Sequence, residues 1–370
     1  MRKGIVSTGS TGTPGGAPDR PLRVVVVGCG GIGGVAAAAL TEHLGPRGGE
    51  VVSYTTNAGI AEAVNARGYR VVGVDGVRTV AGRCVTRLEG ESLFDYALLA
   101  VQPPQVEEAA AQIAPALRPD GAAVCFQNGL CEARVAPLLG PGRVLGAVVA
   151  WGATMPEPGL YERTARGGFS LGRLDNCDDP RLPELAAALG CIGPVAISPN
   201  FAGARWSKLA INCAISTLGT LGGQRLGSLM VSLTVRRLAL HLMTETVRVA
   251  HAEGVRLEKV SGTLDLDWIA LTERETHSLG SPGLFAKHTM LLAVGARYRR
   301  MRSSMLSALE RGRPPAVDYL NGEVVTRGAL HGIATPVNAA AQARVHGLAR
   351  GEGSPSMATV YALAQELGLR

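Results

Sequence analysis

The chain has 370 residues, of which 46% are hydrophobic and 18% charged, with a formal net charge of +7. That length exceeds a single compact core and points to two domains. The excess positive charge suits an anionic ligand, but Lys and Arg are scattered rather than gathered on one face. Only 4% of residues are aromatic, so neither the basic stripe nor the stacking platforms of a nucleic-acid binder are present.

The opening stretch, MRKGIVSTGSTGTPGGAPDRP, is rich in Gly, Ser, Thr and Pro and has no apolar segment. It reads as a disordered extension over residues 1–21, and as neither a signal peptide nor a spanning helix. No uninterrupted run of about 20 apolar residues occurs elsewhere, so no membrane partner is expected. Seven cysteines at 29, 84, 125, 131, 177, 191 and 213 lack metal-ligand spacing, and most lie in apolar runs. They read as small buried hydrophobes in a reducing compartment, with no metal and a cytoplasmic location.

Folded structure is expected from Leu22. Val24 to Val27 make the continuous apolar run of a strand buried on both faces. Gly28, Gly30 and Gly33 follow as G-x-G-x-x-G between that strand and a helical run, the context in which the motif binds a dinucleotide. The first glycine permits the turn, the second lets backbone approach a pyrophosphate, and the third allows close helix packing. The helix-opening N–H groups at Gly31 and Ile32 then face the phosphates. EVVSYTT reads as the second strand and IAEAVNARG as a helix. FDYALLAVQ reads as a strand ending at Pro103, VEEAAAQIAPAL as a helix, and GAAVCFQNGL as a strand running into Asn128. Such alternation predicts a doubly wound α/β Rossmann-type domain, in which ligands sit beyond the carboxyl ends of the strands. Asn128 occupies that position for cofactor or substrate, with a bare Asn-Gly turn as the alternative.

A β-rich extension through VLGAVVAWGATMPEPGLYERTARGGFSLG leads to a junction near residues 198–206. Beyond it, apolar positions recur at helical spacing over 205–222, 229–253, 284–309, 317–331 and 355–368, so the second domain is expected to be an all-α bundle. The chain thus divides into residues 1–21, 22–199 and 200–370. Within the apolar helix after Trp206, Lys208, Asn212 and Ser216 stand at steps of four and share one face. Lysine is almost never fully buried without a partner, so this ammonium is the chief candidate for chemistry. Snorkelling or ion pairing is the alternative reading.

Four segments in order, GCGGIGG, QNGL (127–130), RWSKLAINC (205–213), and RSSML with VDYLNGEVV and TPVN between 302 and 338, resemble the ketopantoate reductase (2-dehydropantoate 2-reductase) family. The resemblance implies that Lys208 meets the carbonyl oxygen of a 2-oxo acid and supplies the proton while a reduced nicotinamide nucleotide supplies hydride. The chemistry agrees, since a positioned ammonium stabilises the developing oxyanion and protonates it. Burial should press the amine toward greater acidity. By the same resemblance Asn128 and Asn212 contact substrate, Ser216 stands where a second asparagine is usual, and Ser304 helps hold the carboxylate. Glu245 reads as structural, pairing within the bundle. Ala316 occupies a place that is commonly acidic and binds the substrate's hydroxyl end. That loss points to a different 2-oxo acid, bulkier or less hydroxylated.

The second strand closes with Thr55, Thr56 and Asn57 rather than the acid that marks NAD. Gln102 stands where the family places a lysine. These substitutions leave NADP slightly favoured, with NAD open. The partner is a small carbonyl compound, and a homodimer through the helical half is compatible with the sequence without being established by any heptad. An opine- or imine-forming reductase and a non-catalytic dinucleotide sensor remain as alternative classes.

Overall fold

Runs of β-branched residues buried on both faces build the central sheet. The computed structural model describes residues 20–260, 264–277 and 280–369. The expected N-terminal extension lies outside these except for Arg20 and Pro21, and Arg20 already pairs with Asp95. The strands are β1 (Arg23–Val27), β2 (Glu50–Tyr54), β3 (Tyr69–Gly73), β4 (Arg78–Val80), β5 (Arg83–Val85), β6 (Phe94–Leu99), β7 (Leu117–Cys125), β8 (Val144–Val149), β9 (Gly152–Glu157), β10 (Leu160–Ala165), β11 (Phe169–Gly172) and β12 (Val195–Ile197). Five helices accompany them: α1 (Gly31–Leu44), α2 (Ala58–Arg67), α3 (Val106–Ile113), α4 (Cys131–Leu139) and α5 (Leu182–Leu189).

Eight strands form one sheet in the order β12-β11-β8-β7-β6-β1-β2-β5. From β5 across to β8 all neighbours are parallel, and β11 turns antiparallel to β8. Parallel neighbours put the ends of β1, β2, β6, β7 and β8 on one edge. The residues that leave them, Gly28, Thr55, Ala100, Phe126 and Ala150, therefore lie side by side. This is the Rossmann-type arrangement that the β-α alternation predicts.

A second sheet, β4-β3-β10-β9, lies against the other side of α1. A Cβ at Gly31 would come within 2.6 Å of the Ala153 carbonyl on β9, and one at Gly34 would overlap the Tyr161 ring on β10. Helix α1 is accordingly buried nearly all round, from Gly33 through Leu40. The β-rich extension read from residues 144–172 divides between the two sheets. Strands β3, β4 and β5 escape the sequence reading because each is short and glycines interrupt the run. The helix expected over 106–117 stops at Ile113, since Pro115 cannot continue it, and Leu117 already pairs in β7.

After Ile197 the chain is helical: α6 (Phe201–Gly222), α7 (Leu226–Val231), α8 (Leu233–Ala252), α9 (Leu266–Ile269), α10 (Glu273–His277), α11 (Pro282–Arg297), α12 (Ser304–Glu310), α13 (Asn321–Leu330), α14 (Pro336–Ala349) and α15 (Met357–Glu366). Asn200 starts α6 by accepting from the Gly203 N–H, four residues ahead of the expected start. The run 229–253 splits at Ser232, which caps α8. The run 284–309 breaks between α11 and α12, and α14 has no counterpart among the expected helices. Leu130 from the α/β half packs with Trp206, Leu209, Cys213, Val249, Leu320 and Val324, giving the two halves a shared apolar joint.

Candidate active site

The glycine turn has the shape the motif requires. Gly28 adopts φ +97°, a region open to glycine, and a Cβ there would come within 2.8 Å of the Val101 backbone nitrogen. A methyl at Gly33 would overlap the Gly28 carbonyl oxygen, whereas at Gly30 nothing lies within 4 Å of an added Cβ. Gly30 is thus the one open approach among the three, and the N–H groups of the first α1 turn have no intrahelical acceptors. Cradle and donors together fit a pyrophosphate. Gly31 does more than open the helix, because its Cα is pressed against β9. Ile32 packs its side chain on the core around α1.

At the β2 exit, Thr55 is buried and its hydroxyl accepts from the Asn57 N–H (3.3 Å). Asn57 caps α2 through its Oδ1, which accepts from Ile60 N–H. That local duty leaves only its amide N–H groups for a ribose or phosphate. Gln102 is exposed, next to the Val101 that abuts the Gly28 turn.

Helix α6 carries the chemistry-bearing face. Between Phe201 and Gly222 its partly accessible residues are Ala204, Lys208, Ile211, Asn212, Ile215 and Ser216, and every other residue is buried. Positions i, i+4, i+7, i+8, i+11 and i+12 make one stripe. Lys208 donates from Nζ to the Val149 carbonyl at the end of β8 (2.9 Å). No carboxylate pairs with it among the described residues. Burial, reinforced by the Arg205 cation and opposed by Glu132, lowers its pKa to about 7. The ammonium therefore stands on the carboxyl edge that also carries the glycine turn. β8 is three strands from β1, about 14 Å at the usual spacing, a distance an extended dinucleotide spans.

One turn on, the Asn212 Nδ2 is buried and has no hydrogen-bond partner among the described residues. Gln127 Oε1 and Trp151 Nε1, at the exits of β7 and β8, are also without partners. Buried polar atoms are rarely left unpaired, and these three, all near the carboxyl edge of the sheet, are candidate contacts for a polar ligand. Gln127 donates from its amide to the Leu99 and Val101 carbonyls, tying the β6 and β7 exits together. Asn128 follows, partly accessible. Gly129 (φ +94°) brings the loop against the Tyr319 carbonyl.

Ser216 lies at the far end of the stripe, where its carbonyl accepts from the Ser303 hydroxyl (2.8 Å). Ser304 itself is exposed in the first turn of α12, and among the described residues no hydrogen bond brings it to the stripe. Ser303, not Ser304, makes the contact with α6 and caps α12. Glu245 is a cap as well. Its carboxylate accepts from the Val337 and Asn338 N–H groups (2.9 and 2.8 Å) and the Asn338 amide (2.7 Å), closing the start of α14. A surface cavity of about 640 Å³ lined by Gly223, Leu309, Pro315 and Leu348 shares no residue with the stripe. It lies at the opposite end of α6, about 22 Å from Lys208 along the helix.

The sequence reading missed Arg205 and Glu132. Arg205 is fully buried and donates to Glu132 Oε1 (2.8 Å), to the Gln127 carbonyl (2.8 Å) and to the Cys125 carbonyl (2.8 Å). An arginine inside an apolar run needs such partners, and that was the available signal.

Fold and site together define a dinucleotide-dependent oxidoreductase with a Rossmann-type half and a helical half. The family described as "Ketopantoate reductase PanE/ApbA" matches residues 24–176, and its C-terminal counterpart matches residues 200–349. A 2-dehydropantoate 2-reductase of Halobacterium salinarum is 30% identical over 279 residues, covering 74% of this chain and 82% of that protein. The structure of a ketopantoate reductase from Ralstonia eutropha JMP134 superposes with a TM-score of 0.74 at 25% identity, over 89% of this chain and 99% of that one. A D-mandelate dehydrogenase solved with NADH and anilino(oxo)acetate shares the fold, with a TM-score of 0.72 at 17% identity, over 92% of this chain and 99% of that one. The chain belongs to the ketopantoate reductase family, and it is an NAD(P)-dependent oxidoreductase acting on carbonyl groups.

Proposed function

We propose that the protein reduces the carbonyl of a 2-oxo acid with Lys208 as proton donor. The observation that carries this reading is the desolvated Lys208 ammonium, held by a carbonyl rather than a carboxylate on the ligand edge of the sheet. A reduced nicotinamide nucleotide held at the Gly28–Gly33 turn would supply the hydride for the carbonyl carbon. One Lys208 N–H is anchored on Val149, which leaves two to meet the substrate oxygen. As negative charge grows there, the ammonium stabilises it and releases a proton, and a pKa near 7 matches this task at neutral pH. Asn212 and Asn128 donate to the substrate's carboxylate or carbonyl, with Ser216 at the far end of the same stripe.

The substrate's side chain is apolar rather than hydroxylated. Ala316 opens the turn whose Tyr319 crowds Gly129, and it offers no acceptor for a hydroxyl. Ile211 and Ile215 add an apolar surface beside Asn212. NADPH is the favoured nucleotide, because no carboxylate closes β2 to repel a 2′-phosphate. Nicotinamide oxidation across a panel of 2-oxo acids, with each reduced nucleotide and with Lys208→Ala beside the unaltered enzyme, tests the whole reading. The expected result is turnover of apolar 2-oxo acids, preferably with NADPH, and its loss in Lys208→Ala while nucleotide still binds. Preference for ketopantoate overturns the substrate assignment, NADH preference the cofactor assignment, and activity in Lys208→Ala the mechanism.

A further inference from the structure

Arg205 precedes Lys208 by one turn, and its guanidinium reaches three elements at once. It bonds the carbonyls of Cys125 and Gln127, at the end and exit of β7, and the carboxylate of Glu132 on α4. Both side chains are almost completely buried. The space they occupy is built for them. A Cβ at Gly146 on β8 would overlap the Glu132 carboxylate and the Phe201 ring, and one at Gly172 on β11 would overlap Phe201. The Arg205 guanidinium lies 5.3 Å over that ring.

Burying an ion pair contributes little net stability compared with apolar residues of the same volume. This pair stands at the joint between the Asn128 loop and the Lys208 helix, where a displacement of about 1 Å in either group is costly to catalysis. We propose that the Glu132–Arg205 pair is the positioning device of the site: it locks the Asn128 loop to the Lys208 helix and seats its two charges beside Lys208. The proposal rests on Lys208 as proton donor.

Arg205 lies on α6 itself and Glu132 on α4. Glu258 stands in the segment after α8 that brackets the Ser207 hydroxyl, and it accepts from Asn200. Beyond β11, Arg173 pairs with Asp175 and Asp179. Toward Lys208 itself, β8 presents the Val149 carbonyl. Of these charges, Arg205 and Glu132 act on the Lys208 amine, in opposite directions.

Those opposite signs supply the test. The chain has four lysines, so competitive acetic anhydride labelling read by mass spectrometry follows the Lys208 amine against pH without any substrate. Glu132→Gln leaves Arg205 uncompensated and moves the titration down by about one pH unit. Arg205→Gln moves it up, Glu132→Gln/Arg205→Gln lies between the two single variants, and Glu132→Asp keeps the unaltered position. The alkaline limb of the reduction rate follows in the same order. NADPH titration reports that each variant is folded, and if one single variant fails to fold the sign of the shift in the other decides. A merely structural pair would lower activity or stability without moving the Lys208 titration. An unmoved titration in a folded single variant overturns the proposal. Activity surviving in Lys208→Ala instead removes the reading beneath it.

Discussion

Replacing Lys208 by Met should make the protein more stable at neutral pH while abolishing reduction. The ammonium is stripped of water, and its pKa falls from 10.5 to about 7. A cation with a depressed folded pKa destabilises the fold most fully below that pKa, and the penalty disappears above the unfolded value. At 1.36 kcal/mol per unit the full penalty is about 5 kcal/mol, and about 4 kcal/mol of it is present at pH 7. Lys208 retains some access to solvent, and screening cuts this severalfold. Met also leaves the Val149 carbonyl unpaired, at a cost of about 1 kcal/mol. A gain of roughly 1 kcal/mol at pH 7 should remain, turning into a loss as the pH approaches 10.5, where the charge penalty has nearly vanished. Urea denaturation of both proteins at pH 7 and pH 10 measures this double difference. A variant equally destabilised at both pH values would refute the claim that Lys208 is held as a strained, desolvated cation.

Reduction should decline as pH rises through about 7, the Lys208 value, because the protonated form is the donor. The reverse oxidation should rise over the same range, and initial rates in both directions check this. Gly30→Ala meets no neighbour, so it should weaken NADPH about tenfold or more with little change in melting temperature. Gly33→Ala, overlapping the Gly28 carbonyl, should lose both binding and stability, and fluorescence titration beside a thermal melt separates the two. Glu245→Gln strips charge-assisted bonds from the start of α14 and should cost about 2–4 kcal/mol in denaturant titration. Its KM should be unchanged, as expected of a residue that caps a helix and touches no substrate.

Much of this was legible in the chain because local chemistry dictates it. A valine run followed by G-x-G-x-x-G admits few structures other than strand, turn and helix, and Gly28 and Gly33 prove to be crowded where the motif says they must be. The Lys208, Asn212 and Ser216 face was legible for the same reason, since helical periodicity survives in any tertiary setting. What escaped depends on partners distant in sequence. Strands β3 and β4 are short and exist because β10, some 90 residues on, pairs with β3. Arg205 finds Glu132 across 73 residues. Ser304 stands on the resemblance alone, and the part played by Ser303, which caps α12 and bonds α6, depends on a contact across 87 residues.

Helix α1 is wedged between two sheets, with Tyr161 against Gly34 on one flank and the parallel strands on the other. The glycine turn therefore sits on an anvil, its helix pinned on both flanks, while the helical half leans on β8 and β11. Under the proposed function the candidate cofactor turn and the candidate substrate face rest on different supports, so substitutions at the accessible positions of α6 and near Ala316 should change the carbonyl compound taken while NADPH affinity stays the same.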